Sequence, residues 1–358
     1  MNFSKKIKIG NSLVGLRYPT YFIAEIGSNF DGSLNKAKDL IYAAKESGAN
    51  AAKFQHYTAD SLVSDLGFNK LKKSFSHQKK WKRSVYNTYK KASLNKEWTR
   101  ELFETCKKAK IHFMTSAYSI ELVDYVMPYQ SAYKIGSGDI TWHEELKHIA
   151  KKNKPVLLAT GASNLKEVIE SVKTIFKYNK NLILMQCNTN YTNAHKNLKY
   201  LNLFTIKNFQ QIFPNIITGL SDHTQNDDAV IAAVSLGARV IERHFTDSTQ
   251  HEGPDHSFST DIKSFKRLVT RIRELEEMLG DGLKKIEKNE EETIIVQRRS
   301  LFAKRDIKKG QIIREQDIIP LRPLLPDALP ANKIKDLIGK KSKTDIKIGD
   351  VLKKKFFI

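Results

Sequence analysis

The sequence predicts an α/β fold: a (β/α)8 TIM barrel followed by a small β-rich domain. Three observations lead there. Eight short apolar runs alternate with helical stretches up to Gly280. Polar side chains gather where those runs end, which is where a barrel of parallel strands carries its chemistry. Beyond Gly280 the alternation stops, and a charged stretch leads into a tail with a turn-rich internal repeat.

Residues 1–19 hold Ile7-Lys-Ile9 and Leu13-Val-Gly-Leu16 around Gly10-Asn11, the pattern of a hairpin. Strands are expected at 21–26, 51–55, 112–116, 132–136, 155–160, 182–187, 216–221 and 239–245. Helices are expected at 35–47, 96–108, 144–152, 165–176, 197–210, 229–236 and 262–279, the last closed by Gly280. A doubly wound sheet is the competing arrangement. It usually opens with a glycine-rich phosphate loop after its first strand, and Gly27-Ser-Asn-Phe-Asp-Gly32 lacks that spacing.

The expected division is a barrel over 1–281, a linker over 282–298 with its charged part at 284–292, and a β domain over 299–358. In that last part Asp306-Ile-Lys-Lys-Gly-Gln-Ile-Ile313 recurs 39 residues later as Asp345-Ile-Lys-Ile-Gly-Asp-Val-Leu352. Each copy sets a turn glycine among β-branched residues, which predicts two related β-turns. Prolines at 320, 323, 326 and 330 mark the loops between them. A domain this small, without disulfide or metal, is marginally stable alone and is expected to dock on a barrel.

Apolar residues make up 40% of the 358, an ordinary share for a globular chain. No apolar run approaches the roughly 20 residues of a membrane span, and the N-terminus lacks a signal peptide's apolar core. Cys106 and Cys187 are the only cysteines and fall inside regular elements, so a disulfide framework is not expected and the reading is cytoplasmic. The net charge of +22 comes from lysines spread along the whole chain, which reads as a solvated surface. One stretch stands out. Residues 70–91 carry nine basic residues and no acidic one, with Phe75, Trp81, Tyr86 and Tyr89 between them. Such a segment can stack on single-stranded nucleic acid. The favoured reading is a partly helical basic loop beside an anionic substrate.

In strand order, the polar residues at the run ends are Glu25; Lys53 and Gln55; Thr115 and Ser116; Lys134, Ser137 and Asp139; Thr160; Asn188 and Tyr191; Ser221 and His223; Glu242 and His244. His223 and His244 each end an apolar run. Either alone reads as a strand-end histidine. Together, beside Ser221, Asp222, Glu242 and Asp255, they favour a site able to hold one divalent ion with open positions. Lys53 and Lys134 are embedded in apolar strands, and an unpaired buried ammonium is costly. A carboxylate such as Glu25 is one partner. A substrate bearing phosphate and carboxylate suits two lysines beside a metal better.

Six segments in this order, with the tail, resemble the sialic acid synthase family, which condenses phosphoenolpyruvate with an N-acylated amino sugar. They are Ala24-Glu-Ile-Gly-Ser-Asn29 with Asp31-Gly32, Lys53-Phe-Gln55, Tyr133-Lys-Ile-Gly-Ser-Gly138, Gly219-Leu-Ser-Asp-His-Thr224, Glu242-Arg-His-Phe-Thr246 and Gly253-Pro-Asp255. The tail resembles the antifreeze-like (SAF) domain that closes these enzymes.

The resemblance implies roles at the matching positions. His223 and His244 would bind a divalent metal, manganese or magnesium. Glu25, Lys53, Lys134 and Asp139 form the implied catalytic set. Lys53, Ser116, Lys134, Ser137 and Ser221 would hold phosphoenolpyruvate, and Glu25, Gln55, Tyr191 and Asp255 would position the sugar. Thr115, Thr160 and Thr189 join the substrate-binding set. Arg322, in Leu321-Arg-Pro323, matches an arginine that the tail sends into the partner's site in a domain-swapped homodimer. Departures from the family pattern fall at Asp139, where glutamate is frequent; at Ala159, where serine is frequent; at Thr192, where proline is frequent; and after Arg322-Pro323, where a leucine replaces glycine. None removes a metal ligand or a lysine.

The implied reaction forms a nine-carbon 2-keto sugar acid and releases phosphate, with N-acetylmannosamine or a relative as acceptor. The first alternative is a legionaminic or pseudaminic acid synthase using a 6-deoxy diacetamido hexose. A metal-dependent hydrolase on the same barrel would carry a His-x-His pair on its first strand, and none stands near Glu25. An eight-carbon keto-acid synthase is opposed by the antifreeze-like tail. No nucleic acid or membrane partner is expected.

Overall fold

The structure is a computed structural model. It describes residues 1–358 apart from 72, 74, 76, 77, 80 and 192–194. Two compact units are present, Met1–Gly280 and Asp281–Ile358.

In the first unit, a hairpin of β1 (Ile7–Ile9) and β2 (Ser12–Val14) precedes β3 (Tyr21–Glu25), α1 (Leu34–Glu46) and β4 (Ala51–His56). Among the described residues, the loop after β4 carries three short helices, α2 (Ala59–Leu62), α3 (Asp65–Lys70) and α4 (Val85–Ala92). Then come α5 (Thr99–Ala109), β5 (His112–Ala117), α6 (Ile120–Val126), β6 (Tyr133–Ile135), α7 (His143–Ala150), β7 (Val156–Ala159), α8 (Leu165–Phe176), β8 (Leu182–Cys187), α9 (Thr205–Ile212), β9 (Ile217–Asp222), α10 (Asp227–Ser235), β10 (Ala238–Thr246), the two-residue β11 (Thr260–Asp261) and α11 (Ile262–Leu279). Strands β3 to β10 pair in parallel, each with the next, and β10 closes onto β3. This is the expected eight-stranded barrel.

Strand alternation sorts the core into layers. Tyr21, Ile23, Ala51, Met114, Leu157, Ile183, Met185, Ile217 and Val240 cluster inside the barrel with Ile7, Ile9 and Val14 of the hairpin, which plugs the N-terminal end. Between strands and helices, Phe22, Phe54, Phe113 and Phe245 pack on α1, α5, α10 and α11. A second cluster joins β6 to β8 with α7 and α8. Burying each such side chain stabilises by roughly 1.5–3 kcal/mol.

Helices α8 and α11 match their expected ranges. The expected helix over 197–210 is divided: a 3-10 turn, His195–Tyr200, precedes α9, and Asn202 between them takes φ +45°. Helix α6 was not expected. It is short, and only Val123 and Val126 among its seven residues are fully buried. Of the basic stretch 70–91, the described part includes α4; residues 72, 74, 76, 77 and 80 lie outside the described residues. No helix of the described residues is long and apolar enough to cross a membrane.

In the second unit, the charged stretch read as linker contains a 3-10 turn, Lys288–Glu290, and the start of α12 (Glu291–Gln297). Strands β12 (Ser300–Ala303) and β13 (Ile318–Leu321) pair antiparallel. The internal repeat is a pseudo-dyad in three dimensions. Ile307 and Ile346 exchange both backbone hydrogen bonds at 2.8 Å. Asp345 accepts from Lys309 N, and Asp306 from Ile348 N, each at 2.8 Å. Gly310 and Gly349 turn at φ +80° and +85°, where a glycine is least strained. Leu301, Ile307, Ile313, Ile346 and Leu352 form the core.

Candidate active site

One layer above the apolar interior of the barrel, the inward positions become polar. Glu25, Lys53, Ser116, Lys134, Cys187, Ser221, Glu242 and His244 line a chamber of about 50 Å3, with Gln55, Ser137, Tyr191 and His223. The period of two that puts Val240 inside also puts Glu242 and His244 inside, and the same holds for Ile23 and Glu25.

The charges are paired. Lys53 Nζ contacts Glu25 Oε2 and lies 3.9 Å from Glu242 Oε2. Lys134 Nζ is 3.1 Å from Glu242 Oε1, which also accepts from Ser221 Oγ at 3.2 Å. Gln55 Nε2 donates to Glu25 Oε1 at 2.7 Å. All four charged groups are buried. Glu242, which the sequence reading set beside the two histidines, is thus the counter-charge to both lysines. Burial alone would raise its carboxyl, but Lys134 and Lys53 outweigh that and hold it low, as the anion. Glu25 goes the other way. Burial raises it and Glu242 adds to the rise, against Lys53, so it stands at about 7. Two neighbouring carboxyls pushed apart in this way divide the work between a fixed anion and a group able to take up a proton.

His223 and His244 follow one another across the β9–β10 ladder, with ring centroids 5.5 Å apart. His223 Nδ1 donates to the Asn188 carbonyl at 3.1 Å, with Cys187 Sγ at 3.8 Å, which leaves Nε2 as the acceptor nitrogen. His244 is lowered to about 4 by burial and is neutral at pH 7. Among the described residues its Nδ1 finds no hydrogen-bond partner, and neither do Ser116 Oγ and Glu242 Oε2. Burial would lower His223, but Cys187 and the Asn188 carbonyl outweigh it and hold that imidazole above its ordinary value. Two imidazoles over a chamber with orphaned buried polar atoms fit a divalent cation. Among the described residues no group of three or more His, Cys, Asp or Glu forms a metal cluster, so water and substrate would supply the other positions.

Above the chamber opens a cavity of about 380 Å3. Asp255 reaches it from the loop after β10, with Oδ2 accepting from Ser28 N at 3.1 Å and Ser28 Oγ at 2.7 Å, and lying 3.9 Å from His244 Nδ1. Asp139 reaches it from the turn after β6, raised by burial to about 6 with Lys134 opposing. The rest of the wall is largely aromatic: Tyr57, Trp81, Tyr89, Tyr118, Tyr191 and Phe258. Tyr57 meets Tyr89 at 5.6 Å and Tyr118 at 6.0 Å, and Tyr191 packs on His223 at 4.3 Å. Of this wall the sequence reading gave Tyr191 to the sugar and set Trp81 and Tyr89 in the segment beside the substrate; Tyr57, Tyr118 and Phe258 it gave no part.

Three expected site residues are engaged elsewhere. Thr115 lies on the outward face of β5, its Oγ1 2.8 Å from His56 Nδ1. Thr160 Oγ1 donates to the Met185 carbonyl at 3.0 Å. Neither lines the chamber or the cavity. Thr189 also lines neither; its Oγ1 packs on Gly161, where an added Cβ would stand 2.9 Å from it and from Ser137 Oγ. Thr192 lies outside the described residues. Arg322 is exposed in the second unit, just after β13.

A barrel with paired buried lysines and two histidines over a deep polar chamber has the make-up of an enzyme for anionic substrates. Residues 40–284 match the NeuB family and residues 298–358 the SAF domain. The chain is 35% identical to the N,N'-diacetyllegionaminic acid synthase of Campylobacter jejuni over 340 residues, covering 93% of this chain and 99% of that one. It is 37% identical to the pseudaminic acid synthase of the same organism over 342 residues, covering 93% and 95%. A crystal structure of the N-acetylneuraminic acid synthetase of Leptospira borgpetersenii, in complex with citrate, superposes with a TM-score of 0.71 at 27% identity, covering 82% of this chain and 96% of that one. The chain belongs to the NeuB family of sialic-acid-synthase-like enzymes, which form a carbon–carbon bond from phosphoenolpyruvate.

Proposed function

We propose that this enzyme condenses phosphoenolpyruvate with a 2,4-diacetamido-6-deoxy hexose. The product would be a nine-carbon 2-keto acid of the legionaminic or pseudaminic type, with release of phosphate. The sequence reading put N-acetylmannosamine first. The observation that favours the diacetamido sugar is the aromatic wall of the larger cavity. A 6-methyl group and a second acetamido methyl gain by burial against Tyr57, Tyr89, Tyr118 and Phe258. A 6-phosphate would need a cation, and no lysine or arginine is among the described residues lining that cavity. Similarity to the two diacetamido-acid synthases supports the same choice.

In this reading Lys53 and Lys134 neutralise the phosphate and carboxylate of phosphoenolpyruvate, with Ser116, Ser137 and Ser221 as hydrogen-bonding partners. A manganese or magnesium ion on His223 and His244 would supply Lewis-acid polarisation of the sugar aldehyde. Glu25 takes a proton and so frees Lys53 for the incoming dianion. Asp139 holds or moves a proton at the sugar end of the cavity. Asp255, Gln55 and Tyr191 orient the sugar. Arg322 completes the site from the tail of a partner subunit in a domain-swapped homodimer.

The test is phosphate release from phosphoenolpyruvate with each candidate acceptor. The diacetamido sugars should give the highest kcat/KM. A higher value with N-acetylmannosamine or its 6-phosphate would overturn the choice of sugar.

A further inference from the structure

Arg243 sits between the apolar Ile241 and Phe245 on the outward face of β10, in a largely apolar layer. It is 1% exposed. Opposite it in the β9–β10 register stands Asp222, also buried. Arg243 Nε donates to Asp222 Oδ2 at 2.8 Å, and Nη2 lies 2.7 Å from the same oxygen. A buried ion pair in such a layer is often no more stabilising than apolar side chains of like volume. Its placement therefore needs a reason.

Each member immediately precedes one of the two histidines, Asp222 before His223 and Arg243 before His244. The pair also grips the loop that carries His223. Asp222 Oδ1 accepts from Thr224 N at 3.0 Å, and Oδ2 from Thr224 Oγ1 at 3.1 Å. Arg243 Nη2 donates to the Asn226 carbonyl at 2.5 Å, at the N-cap of α10. Behind it, Arg243 Nη1 is 3.8 Å from Asp227, which takes Arg267 at 3.1 Å and Arg271 at 3.0 Å from α11. The network ties the end of β9, the 223–226 loop and β10 to two helices.

We infer that Asp222 and Arg243 are positioning residues that set the distance and orientation between His223 and His244, and so the affinity for the divalent ion. This rests on the metal reading of the two histidines. Neither residue touches the ion or the substrate; they act through the backbone on either side of each ring. Outer partners of metal ligands typically change affinity by 10- to 100-fold when removed.

The experiment titrates manganese into metal-free, full-length protein by calorimetry and records the electron paramagnetic resonance of the bound ion. Wild type, His244→Ala, the double variant Asp222→Leu/Arg243→Met and the conservative Arg243→Lys are compared. Thermal unfolding of the metal-free proteins reports folding separately. The double variant should keep a cooperative transition, bind manganese about 10- to 100-fold more weakly, and give an altered resonance. Arg243→Lys keeps the charge but not both the Asp222 and Asn226 contacts, and should fall between. Wild-type affinity in a folded double variant would overturn the inference while leaving the metal site standing. Wild-type protein that does not bind manganese, or His244→Ala that binds it normally, would remove the metal reading and this inference with it. If both the double variant and Arg243→Lys fail to fold, the pair is structural and the inference is wrong.

Discussion

A Cβ at Gly27 would stand 2.6 Å from Oδ2 of Asp255. The approach of the β3 loop to the β10 loop is therefore open only to glycine, and Gly27 also turns at φ +53°. Its neighbour Ser28 then delivers two hydrogen bonds to the same carboxylate oxygen. Gly27→Ala has to push Asp255 out of place and costs about 1–2 kcal/mol of backbone strain. The expected result is a fall in kcat/KM for the sugar of about 10- to 100-fold. Phosphoenolpyruvate binding, which in the proposed reading uses the deeper lysines, should change little. Equal loss for both substrates would show that Asp255 does not serve the sugar.

Asp139 gives a pH test. Burial raises its carboxyl to about 6. Above that pH it is the carboxylate, and below it the neutral acid. If it accepts a proton during condensation, kcat/KM falls as pH drops through about 6. Asp139→Asn should lower the rate by about 100-fold or more and remove that acid limb. A wild-type profile flat from pH 5 to 7 would take Asp139 out of the proton chemistry.

The strands were legible because parallel strands buried on both faces read as short apolar runs, and lysines and histidines at their ends are rare enough to notice. Direction was harder. Thr115 and Ser116 are adjacent, so one must face the chamber and the other the helices. The outward partner that takes Thr115, His56, is remote in sequence. Glu242 was legible as a strand-end polar residue, two before His244 on the same face; its pairing with both lysines was not. The aromatic wall was legible only at Tyr191 and in the 70–91 segment with Trp81 and Tyr89, because Tyr57, Tyr118 and Phe258 come from separate loops. The break at Asn202 was hidden by leucines on both sides that continue the apolar pattern.

The cation reading makes a prediction independent of turnover. A ligand that binds only the folded state raises the unfolding temperature by mass action. Manganese at 100 times its dissociation constant should stabilise the wild-type protein by about 2.7 kcal/mol. His244→Ala should lose that increment and should lose activity at ordinary metal concentration. Full activity after chelation, with metal excluded, would remove His223 and His244 from the chemistry.

Arg322 is the last test, and it concerns how the site is completed. The cavity offers carboxylates, hydroxyls and aromatic faces to the sugar, and among its described lining residues no lysine or arginine. Acetamido carbonyls and hydroxyl oxygens accept hydrogen bonds, so a fixed multi-donor group is what the cavity lacks. A guanidinium has five N–H donors in a rigid fork. Arg322 is exposed at the end of β13, where Pro320 and Pro323 limit the loop's freedom before docking. Arg322→Ala should therefore raise the KM for the sugar by about 10-fold or more, in line with the loss of a charged hydrogen bond. The subunit assignment follows from mixing. In this reading His244→Ala is inactive, and Arg322→Ala is strongly impaired when the assay is run at sugar concentrations below KM. In a swapped heterodimer one site has both residues damaged and the other has both intact. Random exchange makes half the dimers heterodimers, so about a quarter of wild-type activity should return. If exchange is demonstrated and activity stays at background, Arg322 acts within its own chain or lies outside the site.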